Sequence, residues 1–368
     1  MRLLAALIAA LAAAFALAAC GGGDDANGGR KVSVELTDNG CSPSRLTIPA
    51  GPTTFEATNK GSGKATEFEV LKGSRVLGEK ENLTEGLSGS FSLDLAPGRY
   101  STLCGAGTPK GILIVTGKAS AAAADPKLTA AVQGYDRYVR AQVADLRANT
   151  GAFTDAVRDG DVAKAKRLYG PARVSYERIE PVAESFGDLD PAIDARVNDV
   201  EPGQRWTGFH RIEQALWARG TTRGMAPYAD KLDEDIDRLA KKVDAASYQP
   251  AQLANGAVEL LNEVSKSKIT GEEERYSHTD LIDFQANVEG AKEAFVLLRP
   301  VLSERDASLA RTVGARFAAV DAALAPYRRG ATFVGYATVT PAERRELSQA
   351  VDALAEPLSK VGGTIVAR

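Results

Sequence analysis

Histidine and methionine are nearly missing from this chain. Its 368 residues hold two histidines, His210 and His278, and two methionines, Met1 and Met225. A blue-copper centre takes two histidines, a cysteine and usually an axial methionine. No such set can be drawn from the first 209 residues. Hydrolytic signatures are missing too. The residue after His210 is Arg211 and the fourth is Gln214, so the His-Glu-x-x-His pattern of zinc peptidases is not met. No Gly-x-Ser-x-Gly elbow is present either. Neither sign of charge dominates, with 45 Lys+Arg against 48 Asp+Glu, which argues against a nucleic-acid partner.

Long apolar runs are confined to the start. Arg2 precedes an apolar stretch from Leu3 to Leu17, too short to span a membrane. Residues 1–20 read as a secretory leader ending Leu17-Ala18-Ala19-Cys20. That ending resembles a bacterial lipobox, in which Cys20 becomes the lipid-bearing first residue of the mature chain. The alternative is an ordinary secretory signal with a chance cysteine. Residues 21–29, rich in Gly and Asp, form a tether. The mature chain is expected outside the cytoplasm, lipid-anchored to the outer face of the cytoplasmic membrane. Of three cysteines, Cys41 and Cys104 then remain, an even pair in an oxidising compartment.

What is present divides into two periods. Over 30–117 the apolar residues alternate, as in Val32, Val34 and Leu36, Leu46 and Ile48, Phe68 and Val70, Phe91, Leu93 and Leu95, and Ile112 and Ile114. Gly and Pro clusters separate these runs, predicting an all-β sandwich. The segments Cys41 to Gly51 and Pro97 to Cys104, with the strand-like Gly111 to Val115, resemble the cupredoxin family. Where that family carries its first copper histidine, this chain reads Thr66-Glu67-Phe68-Glu69. Cys41 and Cys104 therefore have two readings: a disulfide, or thiolates that join Glu67, Glu69 or Glu79 in a second metal site.

After a linker at 118–127 the period becomes 3.6, predicting an all-α bundle domain over 128–368. Helical patterns run near 161–186, 206–219, 228–245, 251–266, 279–300, 303–325 and 341–360. The strand-like patch from Ala331 to Tyr336 is expected to be a loop. Bundles build metal sites from inward-facing carboxylates and histidines. His210 and Glu213 are three apart and share one helix face. Glu177 and Glu180 repeat that spacing ahead of Pro181, and Asp194 lies between the two pairs. Glu272, Glu273 and Glu274 crowd the approach to His278, and Asp283 follows Asp280 by three.

The runs Tyr176 to Phe186, Trp206 to Glu213, Lys268 to Glu273, Tyr276 to Leu281 and Asp283 to Asn287 together resemble the imelysin family. The resemblance implies a pair of four-helix bundles with a metal site at His210 and Glu213. It implies added acids, for which Glu177, Glu180, Asp194 and Glu273 are the candidates. A cupredoxin-like domain ahead of an imelysin domain further resembles the extracytoplasmic component of an iron-uptake system. The expected cargo is iron, Fe2+ or Fe3+, with copper or zinc as alternatives. Expected partners are a membrane iron permease and a haem peroxidase of the same system. Imelysins have also been filed as metallopeptidases, a reading the missing second histidine argues against. Free imidazole titrates near pH 6.5, so metal affinity is expected to fall near and below that value.

Overall fold

The computed structural model describes residues 30–105, 108–118, 125–200, 203–330 and 332–366. The leader, Cys20 and the tether lie outside the described residues.

Among the described residues of the first domain, nine strands make a two-sheet sandwich. One sheet has the order β2-β1-β4-β7, from Gly40–Ser42, Arg30–Thr37, Gly51–Asn59 and Ser88–Leu95. The other runs β3-β9-β8-β5-β6, from Arg45–Pro49, Gly111–Thr116, Gly98–Leu103, Phe68–Lys72 and Arg75–Lys80. β1 pairs with β4, and β3 with β9, in parallel; the remaining pairs are antiparallel. Phe55, Phe68 and Phe91 pack between the sheets with ring centroids 5.6 to 6.0 Å apart. Strand β4, with Phe55 and Ala57 fully buried, follows directly on the Pro49–Pro52 turn and was not expected. In β9 the expected phase is reversed: Leu113 and Val115 are buried, while Ile112 and Ile114 are half-buried. Cys41 and Cys104 form a disulfide. Both sulfurs are thereby used, and the mixed thiolate site with Glu67 or Glu69 is not what this domain holds.

Among the described residues nine α-helices follow. α1 (Pro126–Arg158), α2 (Val162–Ala183) and α5 (Ala226–Asp244) pack together with the short α3 (Leu189–Asp194) and α4 (Gly208–Ala218). α6 (Pro250–Lys266), α7 (Asp280–Arg305), α8 (Ala307–Leu324) and α9 (Pro341–Val366) make a four-helix group. One continuous apolar core joins both groups. α7 and α9 run past their expected ends at 300 and 360, to Arg305 and Val366, with Pro300 and Pro357 inside them. Within the strand-like patch, Thr332–Phe333 pairs with Arg328–Arg329 as a small hairpin rather than a plain loop.

Helix α2 is gripped by its neighbours at main-chain distance. A Cβ at Gly256 of α6 would stand 2.4 Å from the Pro181 carbonyl oxygen. One at Gly290 of α7 would stand 2.2 Å from that of Arg178. Only glycine permits so close an approach.

The two domains touch through α6 and the β6–β7 region. Asn255 Nδ2 donates to the Ser92 carbonyl at 2.8 Å, and Lys80 Nζ reaches both Glu259 oxygens at 2.8 and 2.9 Å. Gln252 Oε1 accepts from Arg75 at 3.1 Å.

Candidate metal centre

A buried nest of charge lies where α2, α3, α4, α7 and the connector between α6 and α7 converge. Its placement starts at Gly208. There φ is +83° and a Cβ would fall 2.1 Å from the Ile193 carbonyl oxygen, so α4 begins pressed against the end of α3. Thr207 Oγ1 donates to the Ala192 carbonyl at 2.8 Å and fixes the same junction. This brings His210, near the start of α4, beside Asp194, at the end of α3.

His210 is 2% exposed. Its Nδ1 lies 3.2 Å from Glu213 Oε2 and donates to it. Its Nε2 is buried without a hydrogen-bond partner, 3.5 Å from both Asp194 Oδ1 and Glu273 Oε1. Glu213 is fully buried, and its Oε1 accepts the backbone N–H groups of Tyr276 at 2.9 Å and Ser277 at 2.7 Å. Among the described residues, two groups are compact enough for an ion: Asp194, His210 and Glu273, and His210, Glu213 and Glu274. Both centre on His210. A recess of about 10 Å³, lined by Arg196, Trp206, His210 and Glu273 among others, leads to the nest, and Arg196 Nη1 donates to Glu273 Oε2 at 3.1 Å. Two larger cavities lie between the domains, one of about 300 Å³ lined by residues such as Leu128, Val132 and Tyr248, the other of about 310 Å³ lined by residues such as Lys80, Ser90 and Val258.

Two buried cations that sequence reasoning passed over sit among the acids. Arg173 of α2 is fully buried and pairs with Glu177, Asp194, Glu273, Glu274 and Asp283, its guanidinium 5.5 Å from the Phe209 ring centre. Lys268 begins the short 3-10 turn Lys268–Thr270. Its Nζ stands 2.6 and 2.8 Å from the two Glu180 oxygens, 3.2 Å from Glu177 Oε2 and 3.9 Å from Glu273 Oε1. Asn287 Nδ2 also donates to Glu177 and Glu180, at 3.0 and 2.7 Å. The expected acids thus divide. Asp194, Glu213 and Glu273 surround the imidazole, whereas Glu177 and Glu180 are held by Lys268 and Asn287.

No spacing in the sequence marks these cations; a buried arginine or lysine must be paired. The second histidine takes no part: His278 is exposed with φ +57°, and its carbonyl accepts the Tyr336 N–H. Of the three glutamates beside it, Glu272 is exposed while Glu273 and Glu274 turn inward.

The acids set the imidazole's charge. Burial and the Arg173 charge pull its pKa down, but Glu213, Glu273 and Asp194 outweigh them and raise it to about 10. At neutral pH the imidazole is a cation, so an incoming metal must displace its proton. This corrects the expected window near pH 6.5. Burial works against ionising Glu273, yet Lys268 and His210 hold it well below the usual carboxylate range. Glu213 is lowered too: burial opposes this, and the His210 hydrogen bond and charge and the two amides prevail. Seven carboxylates (Glu177, Glu180, Asp194, Glu213, Glu273, Glu274 and Asp283) therefore share Arg173, Lys268 and His210. Burial holds Glu180, Glu274 and Asp283 well above the usual carboxylate range, so part of this excess is carried as neutral acid. The sandwich has an acidic edge of its own, where burial and Glu67 raise Glu69 to about 7 and burial and Glu81 raise Glu79.

Residues 131–361 match the Imelysin family, and residues 6–115 match the Cupredoxin-like domain. The iron uptake system component EfeO of Escherichia coli K12 is 46% identical over 343 residues, 91% of each chain. The Shigella flexneri protein of the same name matches equally. The crystal structure of an iron-regulated protein A precursor from Parabacteroides distasonis superposes with a TM-score of 0.50 at 14% identity. That match covers 66% of this chain and 94% of the other, and at such identity it speaks for the fold alone.

Proposed function

The chain belongs to the imelysin family, with a cupredoxin-like domain in front, and from that premise we propose that it is the extracytoplasmic metal-capturing component of an iron-uptake system. The observation that carries this reading is the orphaned Nε2 of His210, buried and aimed between Asp194 and Glu273. An imidazole nitrogen with two carboxylate oxygens suits a borderline divalent cation such as Fe2+, with zinc or copper as competitors. Glu213 holds Nδ1 and so points Nε2 at the ion, as outer carboxylates do for metal-bound histidines. Glu177 and Glu180 complete the shell once freed. Iron is cargo here, released to a membrane permease that works beside a haem peroxidase.

Hydrolysis is the weaker alternative. Arg211, next to His210, stacks on Trp206 and Tyr228 rather than on the nest, where a peptidase's basic glutamate would stand. Among the described residues no helix is long and apolar enough to cross a membrane. Attachment through a lipidated Cys20 accords with that.

Anaerobic calorimetry of the full chain with ferrous ion tests the proposal. One site, lost in His210→Ala, is expected; equal binding by both proteins would refute it.

A further inference from the structure

The ammonium of Lys268 occupies the place a cation should take. It lies within 3.2 Å of carboxylate oxygens from both Glu177 and Glu180, acids one turn apart on α2. It also stands 3.9 Å from Glu273 Oε1, the atom that faces His210 Nε2. An ion seated between His210 and Glu273 would thus meet a positive charge about 4 Å from one of its own ligands. In a buried site the two positive charges would repel one another, because screening by water is weak there. Ion and ammonium would compete for the same carboxylates.

Of the two buried cations, only Lys268 has somewhere to go. Arg173 is enclosed by five carboxylates and a phenyl ring, in the middle of α2. Lys268 instead sits on a single turn between α6 and α7, with a flexible four-carbon stem and a compact charge. Its Nζ is already 4.0 Å from Glu263 Oε2. The Glu263 side chain is 20% exposed, against 6% for Glu180, so this second seat lies toward solvent.

We propose that Lys268 is a built-in placeholder cation: it holds the Glu177–Glu180 pair in the empty protein and moves onto Glu263 when metal enters. This rests on the His210 site proposed above. The arriving ion gains two carboxylates as the ammonium leaves them. On release the ammonium returns, so the acids are never left unpaired and unloading is easier. The same exchange sets a threshold. Monovalent ions, and divalent ions too weakly held to displace an ammonium, do not load.

The test follows acylation of Lys268 by acetic anhydride, read by peptide mass spectrometry, in the full chain with and without saturating ferrous ion under argon. Lys268 is expected to be protected in the empty protein and modified once metal is bound. Equal protection in both states overturns the proposal. A second measurement uses metal affinity in a double-mutant cycle. Lys268→Met should bind ferrous ion at least about tenfold more tightly, a conservative reading of the charge repulsion removed. Glu263→Gln should weaken binding when Lys268 is present and have no effect in the Lys268→Met background. An equal loss in both backgrounds would make Glu263 a simple source of field and sink the two-seat mechanism. His210→Ala serves as control: if it keeps wild-type affinity, the site itself is misplaced, whatever Lys268 does.

Discussion

The backbone amide of Ser277 donates to Glu213 at 2.7 Å, tying the connector between α6 and α7 to the helix that carries His210. One carboxylate therefore organises two sides of the site. Its other oxygen holds the imidazole, and the tied connector carries Lys268, Glu273 and Glu274.

His210→Ala should abolish tight metal binding while leaving the helical circular dichroism almost unchanged. The ring is a small part of a large core, and Glu213 keeps its two amide donors. A variant that loses stability but retains affinity would make His210 a packing residue.

Metal affinity should climb with pH well beyond neutrality. The imidazole is protonated in the folded, metal-free protein up to about pH 10, so binding expels a proton below that value. Affinity should rise by about tenfold per pH unit between roughly 6.5 and 10 from this group. The stability of the empty protein moves oppositely. A raised histidine pKa gives stability that is complete below the unfolded value near 6.5 and lost as pH rises through about 10. Calorimetry in buffers of different ionisation heat counts the proton directly, and no release at pH 7 would contradict this picture.

Glu213→Ala should destabilise the helical domain by about 3 to 5 kcal/mol, since it strands buried partners on both sides. Glu213→Gln keeps an acceptor for the amides and should lose less. Thermal melts of the two variants give the comparison; equal losses would mean the Tyr276 and Ser277 amides contribute little.

Much of this was legible in advance, for reasons that can be named. His210 and Glu213 stood out because helix geometry stacks residues three apart and histidine is rare. Asp194 and Glu273 could be suspected but not placed: Asp194 reaches His210 because Gly208 lets α4 press against α3, and Glu273 because Glu213 ties down the connector. Arg173 and Lys268 were not legible because buried counter-charges follow no spacing rule. In β9, Ile112 to Val115 is apolar throughout, so alternation could not fix which residues face inward. In the second domain α7 and α9 run on beyond the expected ends, to Arg305 and Val366.

Removing the Cys41–Cys104 bond, which spans 63 residues, should cost the sandwich about 2 to 5 kcal/mol. Metal affinity at His210 should stay near wild type in Cys41→Ser/Cys104→Ser, because the bond belongs to the other domain. A large loss of affinity would show that the sandwich supports the site through α6.

Cys20→Ala should release the protein from membranes into the soluble fraction. An unchanged membrane fraction on immunoblotting would mean that residues 17–20 are not a lipidation signal.

The grip of Gly256 and Gly290 on α2 carries a consequence for ion radius. Backbone-to-backbone contact on both sides leaves the segment holding Glu177 and Glu180 no room to breathe. Calcium needs six to eight oxygens at about 2.3 to 2.6 Å, a shell that adaptable loops provide. Walls held in this way are expected to bind calcium more weakly than a smaller divalent ion, and equal affinities in calorimetry would contradict it.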